Sequence, residues 1–242
     1  MVRLLGLLSL ATAGPRLLAA QESDGAAVAH LSAAFLGAPV DTAASVEECP
    51  EVTTQPNFDL DSFISKRWYA QQQMPVLYLP ASQNYCVYAE YRRLERPSFF
   101  GFTIQVHNYA QDFKGGAHDS GTIICARSDD PQDPAKLLVG PWFLPAIRGI
   151  TAGPYWVVAH DEAEGYALVA GGQPTIRGPG GCRTGSGLNN AGLWIFTREQ
   201  RRNEALVQKV RGIARGKGFD LSVLNDVDQN LCSGGESEAI RV

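Results

Sequence analysis

A chain of 242 residues with 45% hydrophobic and 19% charged residues has the apolar content for a sizeable core and does not read as disordered. Its net charge of −4, without a basic stripe, excludes the clustered lysine and arginine that neutralise nucleic-acid phosphates. Five cysteines, none in a C-x-x-C pair, lack the spacing of zinc and thioredoxin-type chemistry.

Arg3 precedes the apolar run Leu4 to Leu10, and Ala11-Thr12-Ala13 or Ala19-Ala20 offers a small-residue cleavage site. That pattern predicts a signal peptide over 1–20, far too short to span a bilayer. Without it the balance is 19 basic against 25 acidic residues, or −6. Residues 21–48, rich in Ala, Ser, Asp and Gly, read as a disordered leader or propeptide. Within them Ser32-Ala33-Ala34-Phe35 is similar to the second half of a two-part plastid address in some algae, which leaves a plastid lumen as the alternative to secretion. A leader plus scattered cysteines points to disulfides in an oxidising compartment.

A lead-in carrying Phe58, Leu60 and Phe63 runs into Trp68 at the start of a predicted strand, an arrangement that suits a plug across one end of a barrel. Eight strands follow, separated by turn signals. The first covers about 67–74 and stops before Pro75, since proline cannot donate to a ladder. The second, about 84–94, sets Val87, Ala89 and Tyr91 inward against Tyr88, Glu90 and Arg92. The third, about 99–107, puts Phe100, Phe102, Ile104 and Val106 on one face, and Asn108 to Gly116 makes a turn.

The fourth strand, about 120–127, aims Gly121, Ile123 and Cys125 inward; the fifth, from Ala135 to Val139, aims Leu137 and Val139. Strands six and seven, about 155–160 and 165–170, are apolar on both faces, so something must cover them outside. Residues 171–190 read as a flexible Gly-rich loop at the mouth, without the Gly-Lys-Ser/Thr ending of a phosphate loop. The eighth strand, 191–198, carries Trp194 and ends on Arg198, whose cation is placed to stack on Trp68.

A helix over about 199–215 supplies the outer cover. Thr197 and Gln200 match a capping box, and Leu206, Val210, Ile213 and Ala214 recur at helical spacing. The tail returns along the wall to Cys232, leaving 233–242 as a flexible end. The fold class is all-β: an eight-stranded antiparallel up-and-down barrel with a flanking C-terminal helix, as one domain over 49–232.

Small residues among large ones in the inward set (Val87, Ala89, Tyr91, Phe102, Ile104, Ile123, Cys125, Leu137, Val139 and Trp194) favour a hollow cup over a solid core. The four histidines are widely spaced and offer no metal site, and Asp161, Glu162 and Glu164 read as solvated charge in a turn. Two apolar loops, Leu77-Tyr78-Leu79 and Trp142-Phe143-Leu144, fall at the open rim, where they either pack on each other or meet a lipid surface.

The lead-in with Trp68, the Pro154 to Val169 hairpin and the Leu193 to Arg198 strand, in this order and spacing, resemble the lipocalins over roughly Cys49 to Cys232. The match is closest to the apolipoprotein D and bacterial lipocalin branch. The family usually has glycine two residues before the tryptophan; this chain has Lys66. The resemblance implies that Trp68 and Arg198 are structural, and that Cys86 pairs with Cys232 and Cys49 with Cys182. Here Cys182 sits about a dozen residues past the family's usual position.

The resemblance also implies an extracellular carrier, a monomer or weak dimer without a cofactor, for a fatty acid, sterol, retinoid, carotenoid or bilin. Such a carrier would make transient contact with a membrane or lipid particle. A lipid- or carotenoid-converting enzyme on the same barrel, of isomerase or de-epoxidase type, is the alternative, with Cys125 as its reactive group. A third reading is a partner-binding protein that uses the rim loops.

Overall fold

The computed structural model describes residues 48–230 and 232. The proposed signal peptide, nearly all of the leader and the tail 233–242 lie outside them. A short helix α1 (Leu60–Ile64) precedes β1 (Trp68–Gln73), β2 (Tyr85–Arg93), β3 (Ile104–Gln111), β4 (Ala117–Asp119), β5 (Ile124–Asp130), β6 (Asp133–Pro141), β7 (Gly153–Asp161) and β8 (Tyr166–Ala170). There follow β9 (Ile176–Gly178), β10 (Gly181–Arg183), β11 (Leu193–Thr197), helix α2 (Glu204–Gly216) and β12 (Asn225–Asp226). Strands β1, β2, β3, β5, β6, β7, β8 and β11 pair antiparallel in sequence, and β11 returns to β1. The barrel is closed with eight strands, as the turn rhythm predicts.

The turn expected over 108–116 is shorter than predicted. β3 runs on to Gln111 and pairs with β4. The expected flexible loop 171–190 is half a hairpin, β9–β10, fixed to the segment after α2 by Cys182 N–H to Gly218 O (2.8 Å) and Asp220 N–H to Cys182 O (2.9 Å). Helix α2 starts five residues later than expected. Asn203, whose side chain accepts from Leu206 N–H, caps it; the Thr197 hydroxyl instead donates to Glu199 O and accepts from Gln71.

Val207, Val210 and Ala214 of α2 are buried, the last two in one cluster with Leu168 and Ile195, so the helix covers the outer apolar face of β8 and β11. Cys49 bridges Cys182, and Cys86 bridges Cys232, the pairing that the resemblance implies. β1 and β2 pair only at Trp68↔Ala89 and Tyr69↔Tyr88. Beyond that point the Gln229 side-chain amide donates to both Ala70 O and Val87 O at 2.8 Å and holds the two strands together.

The closed end is a stack. Asp59 caps α1 by accepting from Ser62 N–H at 3.1 Å, which fixes Phe63 beneath the barrel. Phe63 and Trp68 are wholly buried, with ring centroids 5.4 Å apart, and the indole N–H donates to Phe63 O at 2.8 Å. The Arg198 guanidinium lies 3.5 Å from the Trp68 ring centroid. Its remaining N–H groups donate to Ser62 O (2.9 Å), Phe63 O (3.1 Å), Lys66 O (2.6 Å) and Glu162 Oε2 (2.7 Å). Lys66, where the family usually has glycine, gives its carbonyl to this contact, and its mostly exposed side chain adds an ion pair to Glu162 Oε1 at 3.8 Å.

His160 enters the plug through a β-bulge. The register of β7 on β8 shifts between Val157 and Ala159, so Tyr155, Val157 and His160 turn inward where strict alternation would bring Ala159. Gln55 fills the bulge: its N–H donates to Val157 O and its side chain accepts from His160 N–H, both at 2.9 Å. The imidazole meets Phe58, Phe63 and Trp68 edge-on, with centroids 5.5–5.7 Å apart. Glu162, expected as solvated charge, instead joins Arg198 and His160.

Burial pushes the His160 pKa below the usual imidazole value, more than Glu162 pulls it up. Burial would raise the Glu162 carboxyl, but Arg198 and His160 outweigh it and hold it low.

Arg198→Met should cost about 3–5 kcal/mol in urea unfolding, because it removes the cation from the indole and from Glu162 and takes the donor from the carbonyls of Ser62, Phe63, Lys66 and Arg67. A loss below about 1 kcal/mol would show that the plug stands without it. Acid stability should report His160. Above about pH 6.5 the imidazole is neutral in both folded and unfolded chains. As pH falls below that value the unfolded chain takes up the proton first, so stability declines until the folded pKa is passed. Glu162 contributes only below about pH 4.5. His160→Gln should therefore flatten the stability profile between about pH 6.5 and 5; an unchanged slope would assign it elsewhere.

Candidate functional site: the barrel cup

Above the plug the barrel holds a cavity of about 640 Å³. Its walls follow strand alternation: Val87, Ala89 and Tyr91 from β2; Val106, Asn108 and Ala110 from β3; Ile124 and Ala126 from β5; Leu137 and Val139 from β6; Tyr155 from β7; Trp194 and Phe196 from β11. Leu79, Leu144, Ile150 and Leu188 line its outer part.

Of the residues expected inside, Val87, Ala89, Tyr91, Leu137, Val139 and Trp194 line the cup. Ile104 is fully buried in the same core as Phe63 and Trp68 but does not border the cavity, and Phe102, also buried, does not border it either. Ile123 and Cys125 are corrections. The fourth barrel strand starts at Ile124, after a turn that contains Gly121 at φ +54°, and this turn resets the alternation by one residue. Ile124 and Ala126 therefore face the cup, Ile123 is half exposed, and Cys125 pairs opposite Gln105 with its parity outward. Gly121 is thus a turn residue, and its small size says nothing about the interior.

Cys125 is a free thiol, buried in the wall, and burial raises its pKa away from the thiolate range. His107, on the outer face, is held by Glu90 Oε2 (3.1 Å) and Asp119 Oδ1 (2.9 Å). Among the described residues no group of three or more His, Cys, Asp or Glu side chains is arranged to hold a metal ion.

The sequence reading missed Tyr155. β7 is apolar on both faces, so alternation alone does not choose its inward side. Tyr155 stacks on Trp194 (centroids 6.4 Å, interplanar angle 26°) and reaches across the barrel to Tyr91, hydroxyl to hydroxyl at 2.6 Å. Tyr91 rests on Phe63 of the plug, with centroids 5.5 Å apart. Burial raises the pKa of both phenols, Tyr155 well above the ordinary value, so both stay neutral.

At the rim, Leu77 is 69% exposed and Trp142 and Phe143 about half, whereas Leu79, Leu144 and the half-exposed Tyr78 border the cup, and burial raises the Tyr78 phenol to about 12. The two loops do not bury each other.

No family model matches the chain. It is 25% identical over 188 residues to apolipoprotein D of Cavia porcellus, which covers 76% of this chain and 84% of that protein. Similar solved structures include the cockroach allergen Per a 4 (TM-score 0.48, 19% identity, 74% of this chain and 94% of that one). Insecticyanin of the tobacco hornworm Manduca sexta (0.48, 16%, 74% and 85%) and lobster apocrustacyanin A1 (0.46, 16%, 75% and 91%) are two others. By its closed eight-stranded barrel and its sequence, this protein resembles the lipocalins, with apolipoprotein D among its relatives.

Proposed function

We propose that this protein is a secreted carrier, acting as a monomer or weak dimer, that holds one small hydrophobic molecule in the cup. The observation that carries the reading is the cavity itself: about 640 Å³, walled mainly by apolar and aromatic side chains and sealed at one end by the Trp68–Arg198 plug. A ligand burying ~400 Å² of apolar surface there gains on the order of 10 kcal/mol before association costs of several kcal/mol, which supports micromolar or tighter binding. Two disulfides support an oxidising compartment, in keeping with the signal-like first twenty residues. An outward Cys125 with a raised pKa supports a carrier over the lipid-converting alternative. The exposed Leu77, Tyr78, Trp142 and Phe143 support transient docking of the mouth on a membrane or lipid particle during transfer.

Ala89→Trp should fill the cup and abolish binding of a fluorescent retinoid or fatty-acid probe, while circular dichroism remains that of a β protein. Cys125→Ser should leave probe affinity unchanged, with no turnover of a bound lipid in either protein. Full affinity in folded Ala89→Trp would defeat the cup, and conversion of a lipid peroxide or epoxide by wild type alone would defeat the carrier. Leu77→Ser with Phe143→Ser, outside the cup, should slow probe transfer from phospholipid vesicles several-fold at constant equilibrium affinity. Equal transfer rates would remove the docking role.

A further inference from the structure

Tyr91 and Tyr155 come from β2 and β7, diametrically opposed strands of the ring. Their hydroxyls meet at 2.6 Å, and neither has another hydrogen-bond partner among the described residues. In such a pair one hydroxyl gives its proton to the other, and the second keeps a proton with no acceptor. That donor sits in an apolar cavity just above Phe63, where an unmatched polar group is costly. The cup therefore has a polar point at its deep end that its own side chains leave half satisfied.

The charges around the cup bear on what can satisfy it. No lysine or arginine is among the described residues that line it. Arg198, the nearest cation below, is committed to Trp68, Glu162 and the plug carbonyls. His118, 41% exposed and beside Gln83 and Asp112, is the only histidine among the described lining residues. Asp119, which also lines the cavity, is a carboxylate. A ligand carboxylate lowered onto the tyrosine pair would lose its water without gaining a counter-charge, which is far more costly than burying a neutral oxygen.

We propose that the Tyr91–Tyr155 pair selects a neutral ligand that brings a carbonyl, ether or hydroxyl oxygen to the deep end of the cup, and that the cup discriminates against the carboxylate form of the same molecule. The inference rests on the carrier reading and narrows its ligand class. The apolar body of the ligand then lies along Ala89, Val106, Leu137 and Val139, with Trp194 against Tyr155 supporting the pair from the side. The high phenol pKa values keep both hydroxyls as proton carriers throughout the physiological range.

Three probes of one shape test this at pH 8, read by quenching of tryptophan emission: retinal, retinoic acid, and the hydrocarbon anhydroretinol. Wild-type protein should bind retinal about 3- to 10-fold tighter than the hydrocarbon. It should bind retinoic acid at least about 30-fold more weakly than retinal. The retinal carbonyl stretch should move to lower frequency on binding, a sign of an accepted hydrogen bond that packing alone does not produce. In Tyr91→Phe/Tyr155→Phe the advantage of retinal over the hydrocarbon should shrink to less than about twofold and the frequency shift should vanish.

The wild-type ranking and the carbonyl frequency need no substitution, so the idea stays open to refutation even if the double variant fails to fold. Retinoic acid bound as tightly as retinal, no advantage of retinal over the hydrocarbon, or an unshifted carbonyl would overturn the selection while leaving the carrier intact. If none of the three binds, the carrier reading fails and the selection fails with it.

Discussion

The cation of Arg198 over the indole of Trp68 is the contact on which the rest of the barrel depends. It joins the first barrel strand to the residue that ends the last one, at the point where the ring must close. The guanidinium suits this position because its planar face can stack while its edge donates to several carbonyls in one plane. A lysine could supply the charge but not both the face and the fork. The carbonyls come from the end of α1 and the turn after it, so the same side chain fixes the barrel and the lid beneath it. His160 completes the arrangement from β7, separated from β11 by β8 alone, brought there by a one-residue bulge that Gln55 fills.

The plug also sets the depth of the cup. Phe63 is wholly buried, and Tyr91 lies against it, so the tyrosine bridge cannot sink further. The usable volume begins at that bridge and runs outward between small and branched side chains, with Trp194 as one large wall. The outer face is built on a different principle. There α2 and the segment after it, through Val210, Ala214, Phe219 and Leu221, cover β8 and β11, which lets those strands be apolar on both sides. Thus one half of the barrel wall carries a second hydrophobic layer, and the other half, at β2 and β3, faces solvent with tyrosines and paired charges such as Arg67–Glu90.

Much of this was readable from side-chain alternation. β6, and β2 from Val87 onward, alternate cleanly, and their inward residues Val87, Ala89, Tyr91, Leu137 and Val139 all reach the cavity. Trp68 and Arg198 stood out because each is a single large or charged group at the edge of an apolar run. Alternation failed where the backbone changes phase. The turn at Gly121 displaced β5 by one residue, which sent Cys125 outward, and the bulge in β7 turned His160 inward. Neither event leaves a mark in hydrophobicity, since Ile123 and Ile124 are chemically alike and Val157, Val158 and Ala159 are all apolar. The Asn203 cap was missed for another reason: Thr197 and Gln200 satisfy the same spacing, and only tertiary bonding to Gln71 decides between them. Tyr155 lay in a strand with two apolar faces, where no pattern chooses a side.

The closure of β1 on β11 has a consequence for how the protein comes into being. Tyr69 pairs with Thr197, so the first wall of the barrel has no permanent neighbour on that side until well over a hundred further residues have been synthesised. Gln229 then arrives later still to join β1 to β2. Contacts so distant along the chain are slow to form, and until they do β1 and β8 are bare sheet edges open to any other strand. No N-terminal portion of the barrel is therefore a stable stopping point, and a nascent chain released before its final strand would be an aggregation seed rather than a smaller version of the protein.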